Sequence, residues 1–249
     1  MVFEEWQQWG LRPEDSEKHN IHRLNGNLPE MESTKQLVNL VSNDYESGMK
    51  VLDVGCNVGH YLKGLRRQFP ELDYTGVDAY DYYISQAKIS FQDDHNSSFE
   101  VKDIFKPIFP ENQFDIVYCC NVIHHLPDFR IPVKNLLSST KKVCFIRSLF
   151  ADYTNIVKST VTESYDDDGN PIDYWYLNTW SKNYFTEFVK KLGWNVEFIA
   201  DEFETSQIQK EFETIKNSES DVATRIVGDL QVIEGVVANW VWAKLTPIN

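Results

Sequence analysis

Between residues 50 and 147 short apolar runs alternate with amphipathic stretches, strand then helix, without interruption. Apolar strand signals fall at 50–54, 73–77, 98–102, 114–120 and 142–147, and helical spacing falls between them at 59–68, 82–90 and 131–138. Short buried strands joined by helices are what a parallel sheet needs, because each parallel step requires a long crossover. Right-handed crossovers then fix the order of the strands. The expected architecture is α/β: a doubly wound, mostly parallel, Rossmann-like sheet of seven strands.

The flanks extend this pattern. A helix over 29–43 is expected ahead of the first strand, with Asn27 as its cap and Pro29 in its first turn. Ser181 reads as the cap of a helix running to Leu192 and closed by Gly193, followed by a strand at 194–199 and a final strand at 236–245. The whole chain, 1–249, is read as one domain carrying three additions: an N-terminal arm over 1–30, a lid or hairpin over 149–180, and an insertion over 201–234. The hairpin is marked by the turn sequence Asp166-Asp167-Asp168-Gly169-Asn170-Pro171 between two aromatic runs. Residues 201–220, rich in Glu, Lys, Gln and Ser, read as an exposed helix and loop.

Charge narrows the partners. Lys and Arg total 24 against 38 Asp and Glu, a net charge of -14 that repels a polyphosphate backbone, so no nucleic acid is expected. The basic groups Lys63/Arg66/Arg67 and Lys190/Lys191 read as solvated helix faces, with a phosphate site as the minor alternative. No run approaches the roughly 20 apolar residues of a membrane span, and the first ten residues lack a basic start and an apolar signal core, so a cytoplasmic protein is expected. Cys56, Cys119, Cys120 and Cys144 read as small core residues with free thiols, and no metal site is expected because no ligand set has suitable spacing.

The chemistry concentrates where the first strand ends. Gly55 and Gly59 let the backbone turn sharply and allow a ligand to lie against it, with the amides of the next helix aimed at that ligand. A glycine turn alone is weak evidence, but strand two ends in Asp78, a carboxylate able to accept from two ribose hydroxyls, although a helix cap explains it equally well. Strand three ends in Asp103 and Ile104, where the carboxylate could accept from an adenine amino group while the isoleucine covers the ring.

These residues resemble the class I S-adenosylmethionine-dependent methyltransferases of the small-molecule branch. The resemblance runs over about 50–147 and continues plausibly through 181–199. Asp53-x-Gly55-x-Asn57-x-Gly59 is similar to that family's acidic glycine loop, Asp78 to its ribose-binding acid and Asp103 to its adenine-side acid. The stretch from Phe114 through Asn121, His124 and His125 to Leu126 is similar to its fourth strand and following loop. The resemblance implies S-adenosyl-L-methionine as cofactor, with Asp53 helping to position its methionine end. Gly55, Cys56, Asn57 and Gly59 would form the loop, Asp78 and Ala79 the ribose contact, and Asp103 and Ile104 the adenine contact. Asn57 departs from the family, which more often has glycine there, but Asn tolerates positive φ best among the other residues. The nicotinamide fingerprint G-x-G-x-x-G is not met, which lowers that alternative.

Methyl transfer is an in-line displacement, so alignment dominates and only a hydroxyl acceptor strongly needs a base. Asn121, at the end of strand four, could orient the acceptor or hold the cofactor's amino group. His124 and His125 are the candidate bases, but neighbours in sequence cannot both face a pocket. The resemblance implies that the second of such a pair packs structurally. Tyr174, Trp175, Tyr176, Trp180 and Tyr184 could wall an acceptor pocket or simply pack a hairpin on the sheet, and His19, His22 and Arg23 could close over the site from the arm. The expected activity is methyl transfer to an oxygen or nitrogen of a small polar acceptor, a sugar or sugar-linked metabolite being one such class. A nicotinamide-dependent oxidoreductase and a non-catalytic adenosyl-binding module are the alternatives, and an oligomer stays open.

Overall fold

The computed structural model of the chain describes residues 20–160, 165–171, 174–202, 224–227, 230–233 and 236–248. Its main sheet contains β1 (Lys50–Val54), β2 (Asp73–Asp78), β3 (Ser97–Val101), β4 (Phe114–Cys120), β5 (Thr140–Ala151), β9 (Trp194–Ala200) and β13 (Trp240–Pro247). The order across it is β3-β2-β1-β4-β5-β13-β9, with a short β8 (Trp180–Ser181) pairing onto β5. Pairing is parallel from β3 to β5, and β13 runs antiparallel between β5 and β9. The doubly wound, mostly parallel sheet expected from the sequence is therefore present, with one antiparallel strand near its edge.

Alternation along each strand buries both faces. On β4, Val117 and Cys119 point into one hydrophobic cluster while Ile116, Tyr118 and Cys120 point into the other. The first cluster takes in α4 (Arg130–Ser139) through Val133 and Leu136, and α5 (Lys182–Lys191) through Phe185 and Val189. The second takes in α1 (Glu32–Ser42) through Leu37 and Val41, α2 (His60–Gln68) through Leu62 and Leu65, and α3 (Asp81–Ser90) through Ile84. The four cysteines are free and buried, as expected of small core residues.

Three element boundaries differ from the sequence reading. Helix α1 starts at Glu32 rather than near Pro29, its N-cap is Met31, and no side chain caps it. Asn27 instead belongs to the preceding turn, where its amide donates to the carbonyl of His22 at 2.8 Å, and Leu28, the residue before Pro29, is held out of helical conformation. Strand β5 extends to Ala151 because β13 pairs with it as far as Leu149 and β8 pairs with Phe150 and Ala151. The expected strand over 236–245 is split: β12 (Val236–Val237) joins β10 (Thr224–Val227) and β11 (Leu230–Ile233) in a small antiparallel sheet, and β13 begins at Trp240. Asn239 makes the break, its side-chain amide donating to the carbonyl of Phe150 at 2.6 Å.

The hairpin is present. Strands β6 (Lys158–Thr160) and β7 (Tyr174–Tyr176) pair antiparallel, and the Asp166 carboxylate accepts from the backbone amides of Asp168 and Asn170 in the expected turn. Ser181 caps α5 by accepting from the amide of Tyr184 at 3.3 Å. Of the expected arm, residues 1–19 lie outside the described residues, as does most of the expected 201–220 segment. No helix among the described residues is long and apolar enough to cross a membrane.

Candidate active site

Strand β1 lies between β2 and β4, so the chain changes direction across the sheet there, and the crevice beyond the carboxyl ends of these strands is where such sheets bind ligands. A cleft of about 260 Å³ opens at that point. Gly55, Asn57, Asp78, Ala79, Ile104, Asn121 and His125 line it among the residues singled out from the sequence.

The loop after β1 is held by its neighbours. The amides of Gly55 and Cys56 both donate to the carbonyl of Val77, at 2.8 and 3.0 Å, so the first two strand tips are locked together. Gly55 has φ +80°, and a Cβ there would lie 2.3 Å from a methyl of Val122, so only glycine fits. Asn57 takes the expected positive φ, 51°. Its amide donates to Asp78 Oδ2 at 2.9 Å, and the amide of Tyr80 donates to Oδ1 at 3.1 Å. Burial raises the Asp78 pKa to about 6 against the lowering effect of the amides of Asn57, Tyr80 and Ala79.

Other expected residues sit beneath or beside the cleft. Asp53 is buried, with the hydroxyls of Tyr74 and Tyr118 donating to its Oδ2 at 2.8 and 2.9 Å. Its pKa is pushed up to about 7 by burial, which outweighs those two hydrogen bonds. Cys56 is buried in the core, and Gly59 forms the left-handed N-cap of α2. Asp103 does not line the cleft: its Oδ1 accepts from the amide of Phe105 at 2.9 Å and its Oδ2 pairs with Lys106 at 3.3 Å. Lys102 and Ile104, on either side of it, line the cleft instead.

The two histidines are arranged opposite to the sequence expectation. His124 is buried, its ring edge-on to Trp240 with centroids 5.0 Å apart, and burial first, then His125 and Arg147, drive its pKa well down. His125 lines the cleft. Its Nδ1 lies 2.9 Å from the carbonyl of Tyr176, an acceptor only, which assigns the proton to Nδ1 and leaves Nε2 with the lone pair. Burial lowers its pKa to about 4, opposed by that carbonyl. The short 3₁₀ turn Ile123–His125 that follows β4 turns the first ring under β5 and β13 and the second toward the cleft.

Asn121 has φ 61°, and its amide donates to the carbonyl of Arg147 at 3.0 Å. Arg147 Nη1 donates to Asn121 Oδ1 at 2.6 Å, while Nε and Nη2 donate to the two carboxylate oxygens of Asp201 at 2.7 and 2.8 Å. The guanidinium also lies 4.2 Å from the Trp240 ring centre. Burial alone would lower the Arg147 pKa, and the hydrogen bonds and charge of Asp201 raise it instead. With Oδ1 engaged by a cation, Asn121 presents its amide N–H groups for donation, which suits an oxygen of a ligand better than an amino group. Asp201, read from sequence as the start of an exposed segment, buries its side chain in this ion pair just past the end of β9.

Sequence reasoning missed several lining residues, among them Asn20, Met31, His60, Tyr61, Tyr80 and Tyr83. Asn20 donates to Asn57 Oδ1 at 3.2 Å, a contact nothing in local spacing announces. Tyr80, two residues beyond Asp78, is the one that strand-tip position alone could have flagged. None of the five expected aromatic residues lines the cleft. Trp175 stacks on His125 at 6.1 Å, while Trp180 and Tyr184 pack on Phe129.

Comparison with known proteins matches residues 24–198 to a family described as a methyltransferase domain. Phosphoethanolamine N-methyltransferase 3 of Arabidopsis thaliana is 35% identical over 104 residues, 39% of this chain and 20% of that protein. Sterol 24-C-methyltransferase erg6 of Aspergillus fumigatus is 32% identical over 129 residues, 51% of this chain and 32% of that protein. The matched part spans no more than about a third of either relative. Among solved structures, phosphoethanolamine N-methyltransferase 2 of Haemonchus contortus in complex with S-adenosyl-L-methionine shares the fold at a TM-score of 0.54 and 13% identity, over 86% of this chain and 53% of that one.

Proposed function

Because the chain belongs to the class I S-adenosylmethionine-dependent methyltransferases, we propose that it transfers a methyl group to a nitrogen or oxygen of a small polar acceptor bound in this cleft. What carries the proposal is the meeting of Gly55, Asp78 and Asn121, from three adjoining strand tips, on one cavity. The cleft fits the cofactor chemically. The Asp78 carboxylate, held by the amides of Asn57, Tyr80 and Ala79, keeps accepting capacity for a ribose hydroxyl, and Ile104 offers an apolar wall for a base.

When bound against Asp78 and the Gly55 loop, the cofactor would supply an electrophilic methyl on a sulfonium to the acceptor's lone pair. Asn121 would orient the acceptor through its amide, and His125 would receive a proton at Nε2 where the acceptor has one to lose. A histidine with its pKa near 4 is a weak base at neutral pH, which favours an amine nucleophile over a hydroxyl. The phosphoethanolamine N-methyltransferase relative supports the same preference. A sugar-linked acceptor is the hydroxyl counterpart, and it calls for a stronger base than His125 provides.

One sheet shared by both hydrophobic clusters supports reading the described residues as a single domain. Titration calorimetry with S-adenosylmethionine and S-adenosylhomocysteine tests the cofactor, with micromolar binding expected and absence of heat for both rejecting it. A labelled-methyl assay against amine and sugar pools then separates the acceptors, and binding without any transfer would mark an adenosyl-binding module instead.

A further inference from the structure

The turn that presents His125 has little to hold it from within. Ile123–His125 is a single 3₁₀ turn, closed by the amide of His125 on the carbonyl of Val122 at 2.9 Å and by that of Leu126 on Ile123 at 3.4 Å. A turn this short, with one of its bonds longer than usual, does not fix the direction of a ring. What fixes it comes from the chain 51 or more residues further along. The indole Nε1 of Trp180 donates to the carbonyl of Ile123 at 3.2 Å, the amide of Asn178 to that of His124 at 2.8 Å, and Asn178 Nδ2 to that of Leu126 at 2.8 Å. The ring itself is held by the carbonyl of Tyr176, 2.9 Å from His125 Nδ1.

Asn178 is the centre of this clamp. It is fully buried, a costly place for an amide unless its groups are bonded. Besides the two bonds it gives to the turn, its Oδ1 accepts from the amide of Val157 at 3.0 Å, and the carbonyl of Val157 accepts from Leu177 at 3.0 Å. Thr179 and Asn155 exchange backbone bonds at 2.8 and 2.9 Å, and β8 pairs Trp180 with Phe150 of β5. The clamp is therefore anchored on the main sheet. Packing accounts for the Trp180 ring against Phe129, but an apolar side chain at 178 would pack as well without reaching the turn. Neither Asn178 nor Trp180 lines the cleft, so any effect of theirs on the reaction passes through His125.

We propose that Asn178 and Trp180 are positioning residues of the methyl-transfer site: they hold the turn so that His125 stays in the cleft wall with its proton on Nδ1. The proposal rests on the proton-accepting role given to His125 above. A ring released from the clamp moves off the Tyr176 carbonyl, populates the other tautomer and no longer offers the Nε2 lone pair to the acceptor's proton.

The whole chain and its Asn178→Ala, Trp180→Phe, His125→Ala and Val189→Ala variants test this. Val189, buried on α5, controls for lost core packing alone. One readout is nitrogen NMR of the His125 ring, which reports the tautomer with no ligand present; the other is transfer of labelled methyl from S-adenosylmethionine to a mixture of small amines and alcohols. Asn178→Ala and Trp180→Phe should both show mixed tautomers and a kcat lowered about tenfold or more, toward that of His125→Ala, with unchanged affinity for S-adenosylhomocysteine. Val189→Ala should lose stability yet keep tautomer and kcat. If Asn178→Ala does not fold, Trp180→Phe decides, since it keeps an aromatic ring on Phe129 and removes the indole N–H. An Nδ1 proton and full kcat in the Asn178 and Trp180 variants, beside a loss in His125→Ala, overturn the proposal and leave the role of His125 standing. So does an equal loss of kcat in Val189→Ala, which would make stability the cause. Full kcat in His125→Ala, or no transfer by the unaltered chain, rejects the role of His125 and the proposal with it.

Discussion

At the scale of single residues, Asp78 couples the site to pH. Its carboxyl titrates near 6 because burial disfavours the charge, whereas ribose hydroxyls donating to it would favour the charged form. Cofactor binding therefore lowers its pKa, and below about pH 6 each unit of acidification weakens binding by up to about tenfold, with a plateau above about pH 7. Calorimetry with S-adenosylhomocysteine across that range should show this slope, and Asp78→Asn should bind more weakly and lose it; an equal slope in the variant removes Asp78 from the ribose contact. The histidines give a second separation. His125→Ala should cut turnover while barely changing stability, and His124→Ala should destabilise the chain by about 2–4 kcal/mol through the cavity it leaves against Trp240. Comparable losses of turnover at unchanged stability for both would contradict the assignment. Gly55, Asn57 and Asp78 were legible in the sequence because backbone turns and strand tips constrain which residue types are allowed there. The choice between His124 and His125 was not, since it depends on how one 3₁₀ turn sits under β5 and β13.

At the scale of elements, the end of β9 is tied to the end of β4 through Asp201, Arg147 and Asn121. Both charged side chains are under a tenth exposed, so losing one partner leaves an uncompensated buried charge, a change that costs about 3–5 kcal/mol, while removing both can be nearly neutral. Asp201→Asn should thus lower stability in urea denaturation, and the pair Asp201→Leu with Arg147→Met should restore most of it. Turnover should not return in the double variant, because Asn121 has lost the donor that fixes its amide. Recovery of turnover along with stability would show that Arg147 serves packing alone. The strands and helices from 50 to 147 were readable because their apolar periods match what a two-faced sheet buries. Asp201 was misread because it follows a strand and begins a polar stretch, and only the neighbouring strand β13 shows that this tip is covered. Pro29 was likewise placed in a helix by its usual position in first turns, although the chain turns once more before α1 begins.

At the scale of the whole molecule, one carboxyl at the centre of the sheet makes the stability of the fold depend on pH. Asp53 is 1% exposed, and no solvent screening relieves its burial. Its pKa of about 7 lies above the ordinary carboxyl value of 3.8 that applies when the chain unfolds. Below about pH 4 both states hold the proton, and the stability this group contributes is fully present. Between about pH 4 and pH 7 the unfolded chain loses the proton while the folded one keeps it, so stability falls by about 1.4 kcal/mol per pH unit, or about 4 kcal/mol in all. Above about pH 7 both states are ionised and the loss is complete. Asp53→Asn keeps an oxygen able to accept from Tyr74 and Tyr118 but cannot ionise. Urea denaturation of both proteins at pH 5 and pH 8 isolates the effect, because all other titrating groups cancel in the double difference. The variant should gain on the unaltered chain between the two conditions by about 2–3 kcal/mol, since part of the window lies below pH 5. A difference that stays constant with pH would mean that water or rearranged hydroxyls keep Asp53 ionised inside the sheet. Its position next to the glycine loop would then serve charge at the cofactor end of the cleft rather than a neutral hydrogen-bonded core.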